Sequence, residues 1–397
     1  MGVPKLRFKA DDGSDFPDWE GMTLGDVGSV AMCKRVFKEQ TREVGDVPFF
    51  KIGTFGGVPD AYISKSLFDE LKSKYAYPEV GTILLSASGT IGRQVEYQGE
   101  DAYYQDSNIV WLEHDDTVLD SYLKQFYSVV KWQGLEGSTI KRLYNKTILD
   151  TPFYRPSLPE QRKIADLLSA VDDVISAQEA EVAAWEKRKK GVMQKLFSQE
   201  VRFKADDGSN FPDWEEKTLG EICEQLKASI DPRNNPTKQF IEYSMPAYDN
   251  HMAAQAVLGQ SMNSARKILS APCVLINKLN VRKRRIWVVE HPEDNAVCSS
   301  EFVPLTSAEF DLRFLGYLAM TDSFTGYLLD CSSGSSNSQK RVTPDTILQY
   351  LVSLPSLPEQ RKIADCLTSL DDVIAKAKDE LDAWRELKKG LLQQMFV

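Results

Sequence analysis

Two stretches of the chain place apolar residues at alternating steps of four and three. Ile164, Leu168, Val171, Ile175, Gln178, Val182, Trp185, Lys189, Val192 and Leu196 form one series. Ile363, Leu367, Leu370, Ile374, Ala377, Leu381, Trp384, Lys388, Leu391 and Met395 form the other. This spacing is the seam of a coiled coil. It predicts two helices of about 35 residues, each about 50 Å long at 1.5 Å per residue. Ser157 and Glu160 open the first as a Ser-x-x-Glu capping box, with Pro159 in the first turn; Ser356, Pro358 and Glu359 repeat the arrangement. Each helix alone exposes its seam, so each needs a long partner. The other helix is the simplest one, paired antiparallel, with Trp185 and Trp384 as seam residues.

Between these helices the pattern changes. TILLSA at Thr82, IVWLEH at Ile109, APCVLIN at Ala271 and RIWVVEH at Arg285 are short β-branched or aromatic runs bounded by turn residues, which predicts strands. LDSYLKQFYSVVKW and FDLRFLGYLAM carry helical periodicity. The regions outside the long helices are therefore expected to be α/β in the mixed, α+β sense.

The chain is also written twice. LRFKADDGSDFPDWEGMTLG at Leu6 recurs as VRFKADDGSNFPDWEEKTLG at Val201, and PSLPEQRKIADLLSAVDDVI at Pro156 recurs as PSLPEQRKIADCLTSLDDVI at Pro355. The middles, 26–150 and 221–350, share little identity, yet their landmarks keep the same order. TILLSAS faces CVLINKL, SNIVWL faces SEFVPL, and GSTIKRL at Gly137 faces GSSNSQKRV at Gly334. Identical frames around divergent centres suit two modules doing one job on two different targets, in a pseudo-twofold arrangement. The division expected is 1–155, a helix 156–200, a second copy 201–354 and a closing helix 355–397.

Composition narrows the class. The 397 residues are 42% hydrophobic and 27% charged, which is ordinary for globular domains. Lys and Arg number 48 against 58 Asp and Glu, a net charge of −10, and the pI is about 5.1. Taken as a sum, that argues against a nucleic-acid binder. Its distribution changes the picture. Residues 20–155 carry 15 basic and 19 acidic groups, and 216–354 carry 14 and 15, so the second middle is almost neutral. The opening residues show no apolar signal region, and no run of eighteen apolar residues occurs, so no membrane span and a cytoplasmic location are expected. Six cysteines without C-x-x-C spacing and three histidines read as free thiols in a reducing compartment, with no metal site.

The usual tools of catalysis are missing. There is no phosphate loop, no Gly-rich dinucleotide turn, no G-x-S-x-G elbow and no H-E-x-x-H. Pro59-Asp60 with Glu70-Leu71-Lys72 mimics parts of a metal-dependent nuclease, but Glu70 to Lys72 lie in a charged helical stretch that is more simply a solvated face. DTPFY at Asp150 faintly resembles an amino-methyltransferase motif and reads better as a linker turn. No catalytic residue is expected. Binding chemistry is better represented. Lys278, Arg282, Lys283, Arg284 and Arg285, with Asn280 among them, form the densest basic cluster. Ser138, Thr139, Lys141 and Arg142 in the first half, and Ser335, Ser336, Asn337, Lys340 and Arg341 in the second, combine small, hydroxyl, amide and cationic side chains that can meet phosphates or base edges. Arg93, Tyr248 and Asn250 are weaker candidates for the same role.

The doubled frame, with LPEQRKIADLL and LPEQRKIADCL opening long helices after variable regions, resembles the specificity subunit of type I restriction–modification systems over essentially the whole chain. The resemblance implies two target recognition domains, each reading one half of a bipartite double-stranded DNA site, held apart by an antiparallel coiled coil. It implies a non-catalytic scaffold for two methyltransferase subunits, which use S-adenosylmethionine. Restriction and motor subunits that use ATP and Mg²⁺ can join them, and the chain itself is expected to bind no cofactor. The isolated chain, being acidic, is expected to bind DNA poorly and the assembly well. The competing reading is a duplicated coiled-coil adaptor without DNA readout.

Overall fold

A computed structural model of the chain describes residues 4–132, 142–334 and 339–396. Two compact units emerge, Met1–Ala180 with Asp379–Val397, and Glu181–Lys378. The expected long helices are present as a central helix, Leu158–Phe197, and a C-terminal helix, Leu357–Met395. At 40 and 39 residues they are longer than the seams alone indicate, about 60 Å each. They do not form a body of their own: each is divided between the units, so that each unit holds one half of both.

In the first unit, strand Glu20–Thr23 pairs antiparallel with Pro152–Arg155, closing the domain where it meets the central helix. Four strands form an antiparallel sheet in the order Gly28–Ala31, Ile109–His114, Ile83–Ser86, Gln94–Glu96. Every residue of Ile83–Ser86 is buried, which is why that strand reads as an unbroken apolar run. One core layer joins Leu85, Val110 and Leu112 to Tyr122 and Leu123 of helix Asp120–Val129. The same layer takes in Ile164 and Leu168 of the central helix and Leu392, Met395 and Phe396 of the C-terminal one. A second core, around Phe49, Phe68, Tyr103 and Tyr104, fills a three-stranded sheet. There Val47–Phe50 lies between Tyr62–Ile63 and Tyr103–Tyr104.

The second unit repeats the frame. Glu215–Thr218 pairs with Leu351–Leu354, and Glu224–Gln225, Phe302–Thr306, Cys273–Asn277 and Ile286–Val289 form the equivalent four-stranded sheet. Helix Leu312–Ala319 packs on it, and Ile363, Ala364, Leu367 and Leu196 complete the core. The divergence is plainest in the other sheet, which here has five strands rather than three.

The repeated LPEQRK segment explains itself in contacts. Glu160 is fully buried. Arg7 donates to both its oxygens, from Nε at 3.0 Å and from a terminal nitrogen at 2.8 Å, and Trp19 Nε1 adds a third bond at 3.0 Å. Arg202 and Trp214 do the same to Glu359, at 3.0, 2.9 and 3.1 Å. In both cases the arginine also donates to two carbonyls of its own segment, Phe16 and Pro17 or Phe211 and Pro212. Gln161 accepts from the Leu119 amide and donates to the Thr117 and Pro156 carbonyls. Gln360 repeats this with Asp311, Glu309 and Pro355. Lys163 and Lys362 reach the Lys9 and Lys204 carbonyls, each at 2.8 Å.

This corrects the expected capping boxes. Ser157 and Ser356 find no partner for their buried hydroxyls among the described residues, and the glutamate carboxylates, which would return a bond to the serine amides, are committed elsewhere. An arginine fork plus an indole offers a carboxylate more than one backbone amide can.

Burial along the expected seam positions is uneven. Ile164, Leu168, Val171, Val182, Ile363, Leu367, Ile374 and Leu381 are buried, whereas Ile175, Trp185, Leu370 and Trp384 are half-buried. The two lysines at seam positions form ion pairs, Lys189 with Asp371 in the second unit and Lys388 with Asp172 in the first, each at 2.5 Å. Lysine residues thus replace apolar knobs without leaving charge unpaired.

Replacing Glu160 with Ala leaves Arg7 and Trp19 without their acceptor in a site closed to water. Urea unfolding is expected to show a loss of about 2–4 kcal/mol. Glu359→Ala should give the same loss within about 1 kcal/mol, since the geometry repeats; a negligible change in both would show that the clamp does not hold the frame.

Candidate nucleic-acid interface

In each unit a strand-end turn, an arginine (Arg142 or Arg341) and the turn before the next strand come together. In the first, strand Ile83–Ser86 ends in a turn that uses Gly89 and Gly92 at φ +68° and +77°. Ser86 closes the turn: its hydroxyl accepts from the Arg93 amide at 2.8 Å, while its own amide donates to the Arg93 carbonyl. Arg93 is exposed, with its guanidinium on the Phe55 carbonyl at 2.8 Å. Ser88 forms a β-bridge with Arg142, and Arg142 donates to the Ser107 carbonyl at 3.0 Å. Ser107, at φ +54°, and Asn108, hydrogen-bonded to Ser88 at 2.9 Å, complete the cluster.

The second unit places equivalent residues in the same relations. Asn277 stands where Ser86 does: its Oδ1 accepts from the Arg285 amide at 3.0 Å, and its Nδ2 donates to the Leu279 carbonyl. Leu279 bridges to Arg341, and Arg341 donates to Glu301 at 3.0 Å. Asn280 adopts φ +53° and donates its amide to the Lys340 carbonyl. Arg93 and Arg285 are thus counterparts, as are Arg142 and Arg341. The remaining candidates Ser138, Thr139, Lys141, Ser335, Ser336 and Asn337 lie outside the described residues.

The basic cluster divides in two. Arg282 and Lys283 are exposed, and Lys278 is half-buried beside them. Arg284 and Arg285 turn away from that loop. Arg284 donates to the Met320 carbonyl and to Asp322 at 2.5 Å. Arg285, 8% exposed, makes a two-pronged contact with Asp249 at 2.8 and 2.7 Å. Those pairings hold the Asp249 and Asp322 carboxyls below the usual range. The cluster expected to contact DNA is thus divided: Arg284 and Arg285 are committed to Asp322 and Asp249, and a guanidinium as buried as that of Arg285 requires a carboxylate. Tyr248 is structural too, with its hydroxyl on the Arg284 carbonyl at 3.2 Å and its ring edge-on to Trp287. Asn250 is exposed at the end of helix Met245–Asp249, followed by His251 and Met252 at φ +62° and +51°.

One basic group escapes a reading by local runs. Arg35, Lys38 and Lys51 line a cleft with Gln105, Asp106, Ser107 and Asn108. They meet because Val47–Phe50 pairs in parallel with Tyr103–Tyr104. Arg35 binds Asp106 at 2.8 Å and Lys51 binds Asp60 at 2.8 Å; Lys38 and the neighbouring Phe37 are exposed. Only the pairing of short strands distant in sequence could have located this cleft.

The enzyme-like decoys resolve as structure. Glu70 pairs with Lys74 on the outer face of helix Lys65–Lys74, and Lys72 lies over Phe68 and Tyr77. DTPFY is more than the linker turn expected: only Asp150 and Thr151 turn, and Pro152, Phe153 and Tyr154 belong to the Pro152–Arg155 strand. Burial pushes the thiols of Cys33, Cys223, Cys273 and Cys298 up to about 12. Among the described residues no group of three metal-ligating side chains occurs, and no helix is long and apolar enough to cross a membrane.

Similarity to known proteins is consistent with this geometry. A type I restriction enzyme specificity subunit of Haemophilus influenzae is 54% identical over 155 residues, 39% of this chain and 40% of that relative's length. The MjaVIII specificity subunit of Methanocaldococcus jannaschii is 24% identical across 98% of this chain and 95% of its own. The S subunit of the type I restriction–modification system from M. genitalium shares the fold with a TM-score of 0.60 at 17% identity, covering 100% of this chain and 99% of that one. A chain from a type I system solved in a study of complex assembly aligns at 0.54 with 14% identity, over 96% and 98%. The type I restriction modification DNA specificity domain matches twice, at residues 17–184 and 212–383. With its doubled frame, its paired strand-end clusters and these two matches, the chain belongs to the type I restriction–modification DNA specificity family.

Proposed function

We propose that each divergent middle reads one half of a bipartite double-stranded DNA site. In this reading the paired helices set the distance between the halves, and the chain carries two methyltransferase subunits. The observation that carries it is the repetition of one cluster in both units. A strand-end turn, the segment at Arg142 or Arg341 and the turn before the next strand are joined by matching contacts, while the side chains they display differ. A constant scaffold with altered display is what two readings by one mechanism require. Arg282 and Lys283 supply phosphate contact in the second half; Arg93, Arg35 and Lys38 supply it in the first. Helices of about 60 Å suit half-sites about one turn of B-DNA, roughly 34 Å, apart. The methyltransferase subunits bring S-adenosylmethionine, and restriction subunits, where present, bring ATP and Mg²⁺; no step of that chemistry falls to this chain.

Exchange of residues 221–350 for the middle of a relative tests the modular reading. Mapping methylated adenines should show one half of the motif changed and the other kept; a change in both halves would sink it. Insertion of one helical turn near Ala177 should lengthen the tolerated gap between half-sites or abolish binding, and an unchanged gap would contradict the spacing role. Replacing Arg282 and Lys283 with Ala should leave the melting temperature in place, weaken DNA binding by the assembled complex and flatten its salt dependence by about 0.9 per lost phosphate contact. Arg285→Ala should instead lower the melting temperature, because it removes a buried side chain together with its two-pronged bond to Asp249. Equal effects of the two variants on melting would return Arg282 and Lys283 to a structural role.

A further inference from the structure

The cross-helix ion pairs are of two kinds. Lys189–Asp371 and Lys388–Asp172 are images of each other, because both helices carry the lysine and the aspartate at positions 199 residues apart. Such pairs form equally well between like and unlike helices. The second kind has changed sign between the copies. Glu179 of the central helix corresponds to Lys378 of the C-terminal helix, and Glu186 to Arg385. In the first unit Arg385 meets Glu179 at 2.7 Å, and in the second Lys378 meets Glu186 at 2.6 Å. Each of these side chains is about half exposed, free to follow a partner but close enough to select one.

The register makes the consequence definite. Two central helices paired antiparallel in this register set Glu179 against Glu186 at both ends of the contact. Two C-terminal helices set Lys378 against Arg385. Only unlike helices satisfy all of these positions. Flanking charges choose coiled-coil partners in this way, and the repulsive arrangement does as much as the attractive one.

We propose that Glu179, Glu186, Lys378 and Arg385 make the two repeats complementary by sign. Each long helix then accepts as antiparallel partner only a helix from the opposite repeat, so a second copy of the chain can engage only by exchanging unlike halves. Within one chain the covalent link gives the unlike helices a high effective concentration, and the intact chain satisfies its own charges.

Full-length variants test this. E179K/E186K and K378E/R385E each place like charges in contact and should lower the melting temperature by about 3–8 °C, while the quadruple variant should return to within about 2 °C of the parent. The E179K/E186K chain has basic flanks on both helices and the K378E/R385E chain has acidic flanks on both, so each finds its complement only in the other. Co-expressed with different tags, these two should co-purify about tenfold more than two tagged copies of the parent chain. A quadruple variant melting as low as the two losses combined, or co-purification no greater than that of parent copies, overturns the proposal. Neither measurement involves DNA, so its failure is separate from any failure of the recognition reading.

Discussion

A carboxylate shut away from water holds each half of this protein in register. Glu160 and Glu359 sit one turn into their helices and take three donors each, two from an arginine fork and one from an indole. Burying such a charge costs several kcal/mol, and charge-assisted hydrogen bonds of about 1.5–3 kcal/mol apiece offset it. The net gain is small, but the geometric demand is large. The placement of the opening segment against the helix start must satisfy both oxygens with the arginine fork and the indole together. The adjacent glutamine and lysine then fix the loop before the domain helix and the carbonyl of the opening hairpin. That is why FPDW and LPEQRK recur together: each is meaningless without the other.

With the frame tied at that point, the centres are free to change. Ser86 and Asn277 show how. A hydroxyl and a carboxamide close the same strand-end turn by accepting the same backbone amide, from Arg93 or Arg285. The turn is preserved while its arginine is redeployed, exposed in one copy and sealed onto Asp249 in the other. Larger changes fall in the secondary sheet, three strands in one copy and five in the other, which packs through a core separate from the one shared with the long helices. Divergence there leaves the helix packing untouched.

Much of this was legible because it is local or repeated. The seams, the four main strands, the two domain helices and the doubled frame follow from spacing along the chain. What was not legible depends on partners far away. Ser157 and Glu160 have the spacing of a capping box, and nothing nearby reveals that Arg7, 153 residues earlier, takes the carboxylate. Arg284 and Arg285 look like the continuation of a basic run until Asp322 and Asp249, 38 and 36 residues off, claim them. Arg35, Lys38 and Lys51 gather through a parallel pairing of short aromatic strands, Val47–Phe50 and Tyr103–Tyr104, more than fifty residues apart. The sign change between Glu179 and Lys378 is plain in an alignment of the copies, but its meaning needs the antiparallel register.

The acidic total can now be understood through these pairings. A protein that grips DNA by bulk charge keeps its cations free. Here arginines are spent on internal carboxylates: Arg7 and Arg202 on the clamps, Arg284 and Arg285 on the second domain, Arg385 on the helix pair. The exposed cations of the second cluster, Arg282 and Lys283, stand on a turn whose backbone is fixed by Asn277 and Lys340. In the proposed reading, phosphate contacts made from a turn of fixed backbone set the register of the domain on the duplex, while base-edge contacts read the sequence. These few charges contribute little non-specific affinity, since that scales with the number of phosphates neutralised. In the proposed assembly, a net charge of −10 leaves the bulk of the phosphate grip to partner subunits.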